Sequence, residues 1–258
     1  MNELALIPVG SGSTGNCFYL EIGPYSLLID MGIGYRKVKA ALEKHGRSLD
    51  DVRAVFLTHG HYDHTKAAVP LSHHLGCAVY GDPSSFYPVR EIELEKRGLA
   101  VYEPVEILPG LYVTMFPVPH DYVRTCGYLF EYEDKKLGYV TDCGKMNDMI
   151  ADLLDGSDVV ILESNHDVEM LKKGPYPYPL KKRILSEYGH LSNDDCALTA
   201  VTLHERGTKH FVLAHLSLNN NTPDKAKETF ETAMEGRDYD LYLCPAEGDD
   251  LLIYEKTA

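Results

Sequence analysis

The apolar run Ala54-Val-Phe-Leu-Thr58 passes without a break into His59-Gly-His61-Tyr-Asp63-His64, and no other stretch restricts the fold of this chain as strongly. The run predicts a buried strand, and the hexad sets three imidazoles and a carboxylate at its end. In an extended turn side chains alternate, so His59 and His61 face one way while Asp63 and His64 turn to the other side as the chain enters a helix. One short loop can therefore serve two metal ions. Imidazole and carboxylate ligands suit zinc, manganese, iron or nickel, and the end of a buried strand presents them rigidly. A solvated histidine-rich loop is the plainer alternative; the regular spacing of four metal-ligating side chains weighs against it.

Around this feature the chain reads as strands and helices in alternation. Leu4 to Val9, Cys17 to Ile22 and Ser26 to Asp30 predict strands around the turns Gly10-Ser-Gly-Ser-Thr-Gly-Asn16 and Gly23-Pro24. Tyr35 to His45 carries Val38, Ala41 and Leu42 at helical spacing and closes at Gly46. Residues 65 to 75 predict a helix, Ala78 to Tyr80 a strand, and Pro83 to Gly98 another helix. Gly110 to Phe116, Gly127 to Glu133 and Lys136 to Thr141 alternate as half-buried antiparallel strands do, with Glu133-Asp134 as a turn. Asp148 to Leu154 predicts a helix and Asp158 to Glu163 an apolar strand. Lys172 to Arg183 is too proline-rich for regular structure and reads as a basic loop. Ser192 to Glu205, capped by Ser192 or Asn193, and Pro223 to Glu235 predict helices; Lys209 to Ala214, Leu241 to Cys244 and Leu251 to Tyr254 predict strands. Sheets packed together under helices follow, as one domain over residues 1–258, because no linker interrupts the pattern.

Composition removes several classes. With 258 residues and 44% of them hydrophobic, the chain can bury a large core, which excludes disorder and a coiled coil. No run approaches the roughly 18–20 apolar residues of a membrane span, and Met1-Asn-Glu-Leu-Ala-Leu lacks a basic segment leading into an apolar core. A cytoplasmic protein without a membrane partner is expected. Cys17, Cys77, Cys126, Cys143, Cys196 and Cys244 are scattered and predict free, mostly buried thiols. The formal charge of −14 argues against a general polyanion binder, whose affinity comes from Lys and Arg against phosphates.

The hexad resembles the His-x-His-x-Asp-His motif of the metallo-β-lactamase-fold hydrolases. Leu27-Leu-Ile-Asp30-Met-Gly32, Pro119-His120-Asp121, Tyr139-Val-Thr-Asp142 and Leu213-Ala-His215-Leu-Ser217 match that family in order, so the resemblance spans residue 4 to about residue 220. It implies an α/β (α+β) fold, a four-layer αββα sandwich of two mixed sheets with helices outside. It implies one metal on His59, His61 and His120 and another on Asp63, His64 and His215, with Asp142 bridging and Asp30 orienting the ligand loop. Two divalent ions about 3.5–4 Å apart bring a bridging water toward neutrality as a hydroxide nucleophile, so the implied reaction is hydrolysis. His61 stands where the oxygen-reducing diiron branch carries glutamate.

Three stretches are similar to the YycJ (WalJ)-type branch, single-domain relatives of RNase Z: Gly10 to Tyr19, Glu163 to Asn193 and His215 to Pro223. Asp142 and His215 lie 73 positions apart, too close for the domain that β-CASP nucleases insert there. The resemblance implies a phosphodiesterase with 5′ to 3′ exonuclease activity on DNA. By RNase Z analogy His190 donates a proton to the departing group and Glu163 supports it, so the implied catalytic set is Asp63, His190 and Glu163. Substrate-binding residues stay unassigned, and no protein partner is implied. His166 has no secure role, and the tyrosines of the basic loop Lys172 to Arg183 could stack on bases. Two other readings stay open: a small-molecule hydrolase acting on a cyclic phosphodiester, lactone or thioester, and a metal-dependent scaffold without turnover. The negative charge is partly explained, because Asp63 and Asp142 face cations that add positive charge where a phosphate sits.

Overall fold

Alternation along the strand that precedes the hexad sets the layering. In β4 (Val52–Leu57) Ala54 and Phe56 face one buried cluster while Val55 and Leu57 face another. The computed structural model describes residues 4–244, 250 and 252–254.

The first sheet holds β1 (Leu4–Gly10), β2 (Cys17–Ile22), β3 (Tyr25–Ile29), β4, β5 (Ala78–Gly81) and β6 (Lys96–Gly98) in sequential order, with β14 (Leu252–Tyr254) outside β1. The second holds β7 (Val105–Leu108), β8 (Leu111–Pro117), β9 (Cys126–Tyr132), β10 (Lys135–Val140), β11 (Val159–Glu163), β12 (His210–Ala214) and β13 (Asp240–Leu243), again sequentially. Both sheets are mixed. β3 to β6 run parallel in one, β10 to β13 in the other, and the remaining pairs are antiparallel.

The inner faces share a core that includes Phe18, Phe56, Tyr128, Phe130, Tyr139 and Ile161. Outside the first sheet pack α1 (Tyr35–Lys44) and α3 (Ala68–Ser72) through Val38, Leu42 and Leu71. Outside the second pack α4 (Asp148–Leu153), α7 (Asn193–Glu205) and α8 (Pro223–Ala233) through Ile150, Cys196, Leu203 and Phe230. This is the expected αββα sandwich of two mixed sheets. Chain ends of parallel strands from both sheets meet at one edge, the usual place for ligands in open α/β sheets.

Three local expectations are corrected. The helix expected at 65–75 is two short pieces, α2 (Tyr62–Thr65) and α3. Ala67 gives its N–H to the Met31 carbonyl instead of continuing the helix, and Pro70 has none to give. The helix expected from Pro83 to Gly98 is a 3-10 turn, Pro83–Phe86, followed by irregular chain and β6. Asp82 caps the turn, and Pro88 has no N–H with which to continue a helical ladder. The basic segment is more regular than expected. α5 (Val168–Lys173) runs into it and α6 (Tyr178–Ile184) occupies its second half, with Pro179 in the first turn where no N–H is needed. Strand β7 was not expected, and Leu251 of the last expected strand lies outside the described residues. Ser192, not Asn193, caps α7, accepting from the Asp195 N–H. All six cysteines are free, five of them buried.

Candidate metal centre

Asp30 follows β3, the hexad follows β4, His120 follows β8, Asp142 follows β10, Glu163 ends β11, His190 precedes α7 and His215 follows β12. All gather at the shared edge. Potential ligand atoms lie within 4.8 Å of one another in four overlapping sets: His59, His61 and His120; Asp63, His64 and His215; His59, His64 and Asp142; and Asp142, Glu163, His190 and His215. Backbone strain accompanies the gathering. Asp30, Asp142 and His215 adopt φ of 62°, 52° and 58°, a left-handed conformation that side chains other than Gly disfavour and that persists only where surroundings enforce it. Close approach matters too: a Cβ on Gly32 would stand 1.7 Å from the carbonyl oxygen of Asp63, so only glycine lets β3's extension pass under the hexad.

Every imidazole of the cluster except His61 is oriented by an outer partner. Asp30 is fully buried; its Oδ1 accepts the Thr58 N–H at 2.9 Å, its Oδ2 lies 2.7 Å from His64 Nδ1, and the Thr58 hydroxyl donates to it. Thr58 Oγ1 in turn meets His59 Nδ1 at 3.0 Å. His120 Nδ1 donates to the Gly189 carbonyl at 2.9 Å. Glu163 is fully buried and serves four donors: the Cys143 and Leu191 N–H groups on Oε2, and Nδ1 of His190 and of His215, each 2.7 Å from Oε1. These bonds turn Nε2 of His59, His64, His120 and His215 inward, whereas His61 presents Nδ1, 2.9 Å from His59 Nε2, and His190 brings Nδ1 to 3.7 Å from Asp142. An imidazole tied through one nitrogen to a carboxylate or carbonyl is the usual dress of a metal-ligating histidine.

The charges fit a cation. Burial alone would lower the His215 pKa, but Asp142 and Glu163 outweigh it and raise it to about 9. Burial alone would raise the Glu163 pKa, but His190 and His215 hold it down at about 2. Burial likewise opposes ionisation of Asp142, and His215 and His64 reverse that, keeping it well below the carboxylate range. Nε2 of His215 is buried without a hydrogen-bond partner, and Oδ2 of Asp142 meets only His64 Nε2, at 3.2 Å and outside hydrogen-bonding geometry. Buried polar atoms left so are rare and ask for an occupant, and the nitrogen and oxygen donors suit a divalent cation.

A cleft of about 240 Å³ opens beside the cluster, lined by His61, Asp63, His120, Asp142, His190 and His215, and by Ser13, Asn165, Tyr176 and Arg183 among others. The first six were expected from sequence. The last four were not assigned, although Tyr176 and Arg183 belong to the basic segment singled out there. Asn16, also unassigned, brings Nδ2 to 2.9 Å from His64 Nε2 and 3.3 Å from Asp63 Oδ2. Its position in a Gly-rich turn between two strands was the available signal. His166 is buried with neither ring nitrogen hydrogen-bonded; its carbonyl accepts the Asn193 N–H at the start of α7. His45, His73, His74, His204 and His210 stand outside these sets.

The sandwich and its histidine-rich edge define a hydrolase class, and residues 25–216 match the beta-lactamase superfamily domain, so the chain belongs to the metallo-β-lactamase superfamily. Within it the chain falls in the YycJ (WalJ)-like branch and is a metal-dependent hydrolase. It is 32% identical over 235 residues to exodeoxyribonuclease YycJ of Bacillus anthracis, covering 90% of this chain and 89% of that protein. It is 30% identical over 255 residues to exodeoxyribonuclease WalJ of Streptococcus pneumoniae, covering 96% and 93%. Among solved structures, the metallo-β-lactamase-fold protein YhfI of Bacillus subtilis superimposes with a TM-score of 0.74 at 16% identity, over 98% of this chain and all of that one, a likeness of fold. No helix among the described residues is long and apolar enough to cross a membrane.

Proposed function

We propose that this chain is a dinuclear phosphodiesterase that degrades DNA from its ends, 5′ to 3′, as one domain of residues 1–258 working in the cytoplasm. The observation that carries the reading is the orientation of four imidazoles, His59, His64, His120 and His215, whose Nδ1 atoms are tied outward and whose Nε2 atoms converge on one buried edge. In this assignment His59, His61 and His120 hold one cation, Asp63, His64 and His215 the other, and Asp142 lies between them. Zinc, manganese, iron or nickel fits these donors. Bound divalent cations supply Lewis acidity and positive charge opposite a phosphodiester. The names of the two relatives support DNA as the substrate, and the free thiols suit a reducing compartment.

The chain's own residues handle orientation and the proton. Glu163 holds His190 through Nδ1, which leaves Nε2 toward the cleft. Burial disfavours a charged His190 ring, but Glu163 overrides it and raises its pKa, favouring the protonated form that an acid needs. His190 then gives its proton to the departing oxygen. Glu163 acts through His190 and His215 and is a positioning residue.

The test is hydrolysis by protein stripped with a chelator and reloaded with each metal, on end-labelled duplexes bearing 5′-phosphate or 5′-hydroxyl, on bis-p-nitrophenyl phosphate and on a thioester. Degradation from the 5′ end, lost on chelation and in D63A, is expected. Thioester turnover with intact DNA would move the assignment to a small-molecule hydrolase, and DNA degradation undiminished in D63A would remove it from this site.

A further inference from the structure

One wall of the cleft is α6, and Arg183 is the only Lys or Arg among the described residues that line it. Three other cations of the basic segment are engaged elsewhere: Lys172 and Lys173 pair with Glu169, and Lys181 donates to the Lys172 carbonyl. Arg183 is fixed to the histidines by its own backbone. After α6 the chain folds back so tightly that a Cβ on Gly189 would lie 2.4 Å from the Arg183 carbonyl oxygen and 2.1 Å from that of Ile184. The His190 N–H donates to Ile184, and the Gly189 carbonyl accepts from His120. The segment bearing Arg183, the proposed acid and a proposed ligand therefore form one block.

The guanidinium contacts Oδ2 of Asp121, whose Oδ1 lies 3.2 Å from the inward nitrogen of His120. The carboxylate thus reaches from Arg183 to the ligand face, the path that two non-bridging phosphate oxygens would take. The Arg183 side chain is 55% exposed, so this pairing is weak and exchangeable. We infer that Arg183 is the phosphate-binding residue of the cleft and that Asp121 occupies its guanidinium until a phosphate displaces it. The fork of an arginine matches two oxygens of one phosphate. The inference rests on the phosphodiesterase reading and names how that site holds its substrate.

Calorimetric titration of the metal-loaded full chain with inorganic phosphate tests it, with metal content and thermal unfolding checked for every variant. R183A weakens binding about tenfold, and R183K restores only part, because an ammonium is a point charge. D121N tightens binding about threefold, and that gain vanishes in the D121N/R183A double variant, since Asp121 acts through Arg183. Binding unchanged in R183A, or no phosphate binding by the wild type, overturns the inference. So does a D121N gain that survives in the R183A background, which reflects overall charge alone, or a D121N loss equal to that of R183A, which makes the pair a brace for α6. Hydrolysis of bis-p-nitrophenyl phosphate separates the two readings. If the wild type binds phosphate in this pattern without hydrolysing the diester, the enzyme assignment falls alone; if it hydrolyses the diester without the pattern, Arg183 falls alone.

Discussion

At the end of the first sheet, His59, His61, Asp63 and His64 come from six consecutive residues; at the end of the second, His120, Asp142, Glu163, His190 and His215 come from five places spread over the chain. Each half is organised by one fully buried carboxylate, but the two carboxylates do different jobs. Asp30 braces a loop already anchored by β4, accepting Thr58 and His64 from that one loop. Glu163 ties together connections far apart in the sequence, accepting from Cys143 after β10, from His190 and Leu191 before α7, and from His215 after β12, beside backbone bonds such as Asn165 N–H to the Leu191 carbonyl. A compact motif needs only local bracing, whereas a dispersed set depends on its central acceptor.

The largest effects are expected where the halves join. D142A and H215A should each lower DNA hydrolysis by more than the roughly 100-fold upper range for loss of a ligand's outer partner, with bound metal falling in parallel by mass spectrometry. Next come the two carboxylates. E163Q should cost about 3–5 kcal/mol in chemical denaturation, as loss of one member of a buried ion network does, and should reduce metal affinity about 100-fold. D30N should reduce affinity by only about tenfold. If D30N proves as damaging as E163Q, the contrast between a braced loop and a stitched assembly is wrong.

The same contrast explains what was legible in the sequence. The hexad announced itself because its chemistry is contiguous and follows an apolar strand. His120, Asp142 and His215 taken singly are ordinary strand-end residues, and only their order, matched to a known family, marked them. Asp121 and Arg183 escaped assignment because nothing in the 61 residues between them records that α6 folds back beside the loop after β8. Proline content also misled: it argued for an irregular Lys172 to Arg183, yet Pro179 in a first turn starts a helix as well as it breaks one. Outside the site, most strands were readable from alternation, and the errors fell on the short strands β6 and β7 and on short helices interrupted by prolines or by backbone bonds to other segments.

A smaller effect probes the ground beneath Glu163. Burial lowers the His166 pKa from 6.5 to about 4. The unfolded chain then takes up a proton first as pH falls, so the folded state is at full advantage above pH 6.5 and loses on the order of 3 kcal/mol as pH falls through about 4. H166Q should flatten the acid side of the thermal-unfolding curve in that window while leaving stability near neutral pH little changed. A parallel acid slope in wild type and variant would mean that His166 exchanges its proton without unfolding, and that the stitched half is looser than its burial indicates.

The smallest effect separates bracing from relay within the first half. The Thr58 hydroxyl lies 2.9 Å from Asp30 Oδ2 and 3.0 Å from His59 Nδ1, so it donates to the carboxylate and accepts from the ring. It is the link through which Asp30 reaches His59. T58V keeps the β-branched shape that suits the strand end but leaves His59 Nδ1 and one carboxylate lone pair unmatched, a loss of about 1 kcal/mol. Metal affinity should fall about fivefold, less than in D30N, and T58S, which keeps the hydroxyl, should stay near wild type. Because the Thr58 N–H still reaches Asp30 in both variants, a T58V loss equal to that of D30N would show that Asp30 acts on the site mainly through His59, and that even the contiguous half depends on a single stitch.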